Sequence, residues 1–122
     1  LAAQSTSTFT TELDVTAPTV TATSPINNAT GVAVGSAVSV TFSEQMDVTT
    51  ITGTTFTLKT TTGDLAVAGV VSYNGTSHVA TFTPSGTLTA GTNYTATVTT
   101  GAKDLAGNAL LGDFTFKFTT AP

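Results

Sequence analysis

Apolar and polar residues alternate along most of the chain, in short runs that end at glycine, proline or asparagine. In the run Val38, Val40 and Phe42, apolar residues occupy every second position. A period of two predicts strands with one buried face. From residue 19 onward we predict seven such strands, at 19–24, 37–42, 54–60, 65–73, 77–83, 92–100 and 113–120.

The segments between these runs carry turn residues. We predict a Gly/Asn turn at 26–32 (INNATGV), and Asn74-Gly75 indicates a hairpin. Ser43–Ile51 is predicted to hold at most one helical or 3₁₀ turn, with Ser43 as its N-cap. Short strands at this spacing are typical of an all-β fold, an immunoglobulin-like seven-stranded antiparallel β-sandwich, which we assign to residues 17–122.

Residues 1–16 precede this domain and contain a further strand-like run, STSTFTTELDV at 5–15. Phe9, Thr11, Leu13 and Val15 share one parity, so a strand here would carry an apolar stripe on one face. Its eleven residues would span about 36 Å when extended. The seven later strands already complete a sandwich, so this additional N-terminal strand has no evident partner in its own domain.

Three interpretations of this segment are open. It is a flexible tail, or the last strand and linker of a preceding tandem repeat, since it resembles FTFKFTT at 114–120. Alternatively it is an assembly strand that adds to an exposed sheet edge of another copy of the chain. Such a head-to-tail contact does not close, so its repetition makes a fibre. We favour the assembly strand, because proteins usually cover a strand with a free apolar face.

Composition excludes several classes of partner. The chain has no cysteine, three lysines, no arginine and a net charge of −4. It cannot supply the basic face that nucleic acid or an anionic membrane surface requires. No apolar run approaches the roughly 20 residues that span a bilayer. A surface of 32 threonines and few charges is typical of secreted bacterial structural proteins. We therefore expect a secreted, extracellular or cell-surface location.

Candidate catalytic residues are few. His78 is the one histidine, and a strand residue beside a hairpin turn is its simpler interpretation. Glu44 and Asp47 could form a carboxylate pair of the glycosidase kind, but the chain has no tryptophan and only two tyrosines to line a sugar cleft. The same lack of aromatics argues against a sugar-binding module. We predict that the protein is not an enzyme.

A calcium site is a more plausible candidate than a catalytic one. Asp104 and Asn108 in KDLAGN, with Asp113 close behind and Asp14 in the linker, offer oxygens of the kind that Ca²⁺ prefers. Asp and Gly-Asn are also the residues that a tight loop needs for backbone reasons alone. The loop interpretation is favoured, so we predict no cofactor and keep calcium at these four residues as the alternative.

Several longer motifs resemble one family. TVTATSPINNATGVAVGSAVSVTFSEQMD at 19–47, ATFTPSGTLTAGTNYTATVTTGAKDLAGNAL at 80–110 and the final FTFKFTT occur in order. Together they resemble the bacterial immunoglobulin-like domains of the Big family over residues 17–120. Gln45 departs from the pattern, where the family usually has proline. The resemblance implies a non-catalytic module of secreted or cell-surface proteins, often in tandem, that serves as spacer, stalk or adhesin segment.

The function expected from these observations is that of an extracellular structural module. We favour a self-assembling subunit of a surface filament, linked to copies of itself by its N-terminal strand. The alternative is a spacer or adhesin module from a tandem-repeat protein, with Ca²⁺ at its linkers.

Overall fold

The protein folds as two packed four-stranded sheets in a computed structural model that describes residues 16–122. The strands are β1 Val20–Ser24, β2 Ala29–Val32, β3 Val38–Phe42, β4 Phe56–Thr60, β5 Gly69–Asn74, β6 Val79–Pro84, β7 Asn93–Val98 and β8 Phe114–Thr120. The first sheet has the order β1-β3-β6-β5 and the second the order β2-β8-β7-β4. Every pair is antiparallel except β2 and β8, which run parallel.

The predicted turn at 26–32 is wrong in part, because β2 lies within it. The chain leaves β1, crosses from one sheet to the other and pairs with the last strand. The Asn28 N–H donates to the Lys117 carbonyl (2.7 Å), and the Lys117 N–H donates to Asn27 Oδ1 (3.0 Å). Asn28 and Gly31 take positive φ angles of 68° and 65°, so turn-forming residues shape a short strand instead of ending one.

The core lies between the sheets and confirms the alternation read from the sequence. Val38 and Val40 are fully buried, and the rings of Phe56 and Phe82 meet across the two sheets at a centroid distance of 6.0 Å. Phe42 is buried too, and so are apolar residues at alternate positions of later strands: Leu58, Ala80, Tyr94, Ala96, Val98, Phe116 and Phe118. In β1 the alternation fails, since Val20 is partly buried and Ala22 is exposed. Phe114 is partly buried and packs against the same cluster.

A tyrosine fixes the connection between β6 and β7. Tyr94 near the start of β7 accepts a hydrogen bond at its hydroxyl from the Thr89 N–H (2.8 Å). Thr120, which is buried, donates its hydroxyl to the Thr89 carbonyl (2.6 Å). A tyrosine bonded to the backbone a few residues upstream is the tyrosine corner of immunoglobulin-like sandwiches.

The crossover between β3 and β4 holds one short 3₁₀ helix, Val48–Thr50, as predicted in kind. The predicted N-cap is wrong: Asp47 caps this helix, and its side chain accepts from the Thr49 N–H (3.0 Å). Ser43 instead accepts at Oγ from the Thr19 N–H (3.0 Å) and so ties the start of β1 to β3.

The predicted strand at 65–73 is also divided. Residues 65–67 lie beside β4, and β5 begins only at Gly69. The hairpin predicted at Asn74-Gly75 is confirmed: Asn74 Oδ1 accepts the backbone N–H groups of Thr76 and Ser77 at 2.9 and 3.2 Å.

Candidate functional site

The predicted assembly residues Phe9, Thr11, Leu13 and Val15 lie outside the described residues, as does Asp14. What the described part of the chain offers to such a strand is the set of outer strands of the two sheets. A strand at a sheet edge carries unpaired N–H and C=O groups, and proteins usually shield them.

Two of the four outer strands are poor templates for a further strand. β1 has a register shift between Val20 and Ala22 and is followed at once by Pro25, which has no N–H to offer. β2 has four residues and contains Gly31 in the left-handed region. Bulges, prolines and short length are recognised ways to protect an edge.

The outer edge of β4 is covered by the chain itself. The Thr60 N–H donates to the Leu65 carbonyl and the Val67 N–H donates to the Leu58 carbonyl, each at 2.9 Å. The backbone at 65–67 therefore occupies the positions that a further strand would need along the second half of β4. An ion pair between Lys59 and Asp64 (3.7 Å) lies at the same place.

The outer edge of β5 differs from the other three. The Ser85 N–H donates to the Ala68 carbonyl at 2.9 Å, so Ala68 and Ser85 form a hydrogen-bonded pair just before β5 begins. This pair determines which residues of β5 bond to β6. Hydrogen-bonded and non-hydrogen-bonded pairs alternate between antiparallel strands, so Val70, Ser72 and Asn74 bond to β6. The N–H and C=O groups of the other three residues, Gly69, Val71 and Tyr73, point away from the sheet. Within residues 16–122 no hydrogen bond reaches them.

The strand at this edge carries several apolar side chains and no charged one. Val67, Val71 and Tyr73 are partly buried and pack against the core, while Val70 is 67% exposed on the outer face. The strand sequence GVVSYN contains no charge and no proline. This edge was not predicted from the sequence, although the uncharged run GVVSYN was a signal for it.

The loop with the predicted calcium residues is organised around Asp104, whose side chain is 1% exposed. Its Oδ1 accepts from the N–H groups of Ala106 (2.9 Å) and Asn108 (2.8 Å), and its Oδ2 accepts from Asn108 Nδ2 (3.1 Å). Gly107 completes the turn at φ 90°. The motif DLAGN thus builds a closed loop in which the carboxylate replaces missing backbone acceptors.

Electrostatics keep this carboxylate ionised. Burial opposes ionisation of Asp104, but its hydrogen bonds with the Asn108 backbone and side chain, the Glu44 side chain and the Ala106 N–H outweigh that effect. The pKa of Asp104 is therefore held below its ordinary value. Glu44, considered above for a pair with Asp47, forms a side-chain hydrogen bond with Asp104.

Asp47 and Asp113 each accept hydrogen bonds in a different part of the fold. The hydroxyl and the N–H of Thr49 both donate to Asp47 Oδ1, and they lower the pKa of Asp47. Asp113 Oδ1 accepts from the Thr100 N–H at 3.1 Å. Among residues 16–122 there is no group of three or more carboxylate, histidine or cysteine side chains placed to hold a metal ion. Asp104 and Asn108 lie together, and the calcium alternative stays a prediction.

The candidate catalytic residue His78 and the surface depressions of the described chain lie apart from the Asp104 loop. His78 lies in the turn between β5 and β6 at φ 63°, where we had predicted a strand residue. Three surface depressions have volumes of about 240 to 340 Å³. One of them, beside Pro18, Leu111 and Phe114, is mostly apolar and adjoins the point where the chain enters β1.

The two sheets, their connections and the tyrosine corner define an immunoglobulin-like β-sandwich. The chain matches the bacterial Ig-like domain family Big_5 over residues 14–120 and belongs to that family. Domains of this family are in general non-enzymatic structural modules. No curated protein sequence matches the chain significantly.

Solved structures share the fold. The N-terminal part of the bacterial S-layer protein SbsC aligns over 87% of this chain with a TM-score of 0.66 and 25% identity, and this chain spans 24% of that one. PcoC, a methionine-rich copper resistance protein from Escherichia coli, aligns over 86% of this chain and 99% of its own, with a TM-score of 0.72 and 16% identity. The LD transpeptidase LdtMt1 aligns over 85% of this chain and 40% of its own, with a TM-score of 0.59 and 20% identity.

The last two likenesses concern the fold alone. PcoC is described as methionine-rich, whereas this chain has one methionine, Met46, and its side chain is fully buried. Within residues 16–122, no helix is both long enough and apolar enough to cross a bilayer.

Proposed function

We propose that this chain is a non-enzymatic building block of a bacterial surface structure, joined to further copies of itself through its N-terminal segment. The observation that carries the proposal is the apolar stripe of Phe9, Leu13 and Val15 in a segment that precedes a complete sandwich. Membership of the bacterial Ig-like family and the likeness to an S-layer protein support a location at the cell surface.

The physical basis is strand addition. Main-chain hydrogen bonds between an extended segment and a sheet edge give affinity, and alternate side chains give register. Burial of the stripe would contribute about 1.5–3 kcal/mol for each large apolar side chain. Because donor and acceptor are different surfaces of the same chain, the contact is head-to-tail, and its repetition yields a filament when the rotation between copies does not close a ring.

Removal of residues 1–13 tests this proposal. We expect the full chain to form concentration-dependent oligomers or fibres in analytical ultracentrifugation and electron microscopy, and the truncated chain to stay monomeric with its fold intact. Leu13→Asp should weaken assembly strongly, whereas the matched control Thr10→Asp places the same charge on the opposite face of the strand and should weaken it less. A monomeric full chain at high concentration, or a truncated chain that still assembles, would contradict the proposal.

A second candidate is a spacer or adhesin module of a longer surface protein. It is supported by the finding that this chain spans only 24% of the S-layer protein chain that it resembles. In that case residues 1–13 belong to the junction with a neighbouring module, and the chain alone stays monomeric. Calorimetric titration with Ca²⁺, compared between the wild type and Asp104→Ala, tests whether the junction binds calcium. No heat and no change in melting temperature would remove calcium from the proposal.

A further inference from the structure

We infer that the outer edge of β5 is the acceptor for the N-terminal segment of a second copy of the chain. This inference rests on the proposed function and specifies the surface that it requires. The other outer strands are bulged and followed by proline (β1), short (β2) or covered (β4). β5 is the one outer strand described here that has none of these protections.

The backbone geometry of the edge fits an incoming strand. Gly69, Val71 and Tyr73 offer three N–H and three C=O groups at every second position. A strand repeats at about 3.3 Å for each residue, so the three sites span about 13 Å. The eleven residues at 5–15 are long enough to pair with all of them.

The side chains are also complementary. The free backbone groups belong to residues whose side chains face the core, and Val71 and Tyr73 are only partly buried there, next to Val67. A strand added at this edge would place one face over that apolar rim. The stripe of Phe9, Leu13 and Val15 supplies such a face, and Glu12 and Asp14 then point outward with the opposite parity.

The charge pattern does not oppose this arrangement. β5 carries no acidic residue, so the outward Glu12 and Asp14 of the incoming strand would lie next to neutral side chains such as Val70 and Ser72. Like charges placed opposite each other across strands destabilise pairing, and this edge presents none.

A complementation experiment tests the inference, and the absence of cysteine makes engineered cysteines unambiguous. The donor chain carries Val71→Pro and one cysteine, at Thr8, Thr10 or Glu12. The acceptor chain lacks residues 1–13 and carries Ser72→Cys on the outer face of β5. A matched acceptor carries Thr21→Cys on β1 at the other edge of the same sheet, where the side chain is also exposed.

Val71→Pro is chosen because the Val71 N–H points away from β6, so proline removes no hydrogen bond of the sheet. Proline is accepted on an edge strand where its nitrogen faces solvent. Thermal melting of the variant checks that it folds. Ser72→Lys provides a second block, since a lysine on an edge strand also disfavours pairing.

We expect donor chains to cross-link to Ser72→Cys and not to Thr21→Cys. We also expect Val71→Pro or Ser72→Lys in the full chain to weaken self-association at least about tenfold, because proline removes a donor of the new ladder and a lysine on an edge strand disfavours pairing. Cross-linking to Thr21→Cys would overturn the inference and leave the proposed function intact, since the segment would then bind another edge.

Two further results would also overturn it. If a full chain with both Thr10→Cys and Ser72→Cys gives only cross-linked monomers, the segment binds the edge of its own domain. If no mixed species forms and the full chain does not self-associate, the inference and the proposed function fail together.

Discussion

The Asp104 loop and the outer edge of β5 differ in whether their backbone N–H groups are hydrogen-bonded. In the loop, the N–H groups of Ala106 and Asn108 are bonded to a buried carboxylate. On the edge, the N–H groups of Gly69, Val71 and Tyr73 have no partner within residues 16–122. The Asp104 carboxylate is buried and must be paired when the chain folds, whereas the edge groups are reached by solvent and can bond to water or to a further strand. The loop is therefore completed within its own domain, whereas the edge keeps backbone groups without a partner among residues 16–122.

The largest expected effect comes from breaking the loop. Asp104→Ala removes the acceptor for three hydrogen bonds. It should lower the free energy of unfolding by about 2–3 kcal/mol, because one hydrogen bond to a charged group contributes about 1.5–3 kcal/mol and the partly exposed donors can bond to water once the carboxylate is gone. Urea denaturation measures this. Asp113→Ala is the matched control, because Asp113 is exposed and accepts one backbone bond, from Thr100. An equal loss of unfolding free energy in the two variants would show that the Asp104 loop stabilises the fold no more than a single exposed hydrogen bond does.

The negative charge of Asp104 accounts for only part of this loss of stability. The contribution of the charge can be measured separately by varying the pH. Because the folded-state pKa is lowered from 3.8, ionised Asp104 stabilises the fold above the unfolded pKa, and this contribution is lost as pH falls through the folded value. The stability difference between wild type and Asp104→Asn should therefore be constant above about pH 5 and shrink below it. Urea titrations from pH 7 to pH 3 test this. A difference that does not change with pH would contradict the assignment.

How much of this contrast the sequence predicts depends on the range of the interactions involved. Alternation placed Val38, Val40 and Phe42 in the core correctly, because burial on one face of a strand imposes a period of two. The crossover to β2 was missed, since it depends on a contact between Asn28 and Lys117, which are distant in sequence.

The candidate sites show the same limit. The DLAGN loop was recognisable because the bonds of Asp104 to Ala106 and Asn108 are local. The contact of Glu44 with Asp104 was not, because the two residues are distant in sequence and only the fold brings them together. The free edge of β5 required the sheet order as well, because a strand sequence does not state which neighbours it has. Hydrogen bonds between residues close in sequence could therefore be predicted, whereas the sheet topology that exposes or covers a strand edge could not.

A smaller effect is expected where loop and edge strand meet. The Tyr73 hydroxyl on β5 accepts from the Met46 N–H at 2.8 Å, in the crossover that also pairs with the Asp104 loop. Tyr73→Phe should lower the free energy of unfolding by about 1 kcal/mol, since the part-buried Met46 N–H loses its acceptor. Urea denaturation measures the loss, with Ser72→Ala as a neutral control on the exposed face. No loss in Tyr73→Phe would mean that β5 is held by packing and ladder bonds alone.

The smallest expected effect is measured without any substitution. It concerns which backbone N–H groups of β5 lack a hydrogen bond. In the truncated monomer that lacks residues 1–13, hydrogen exchange followed by NMR should show slow exchange at Val70, Ser72 and Asn74 and fast exchange at Gly69, Val71 and Tyr73. The full chain under assembling conditions should become protected at those three fast positions. Protection of Val71 already in the truncated monomer would mean that its own domain covers the edge, and the contrast with the Asp104 loop would then disappear.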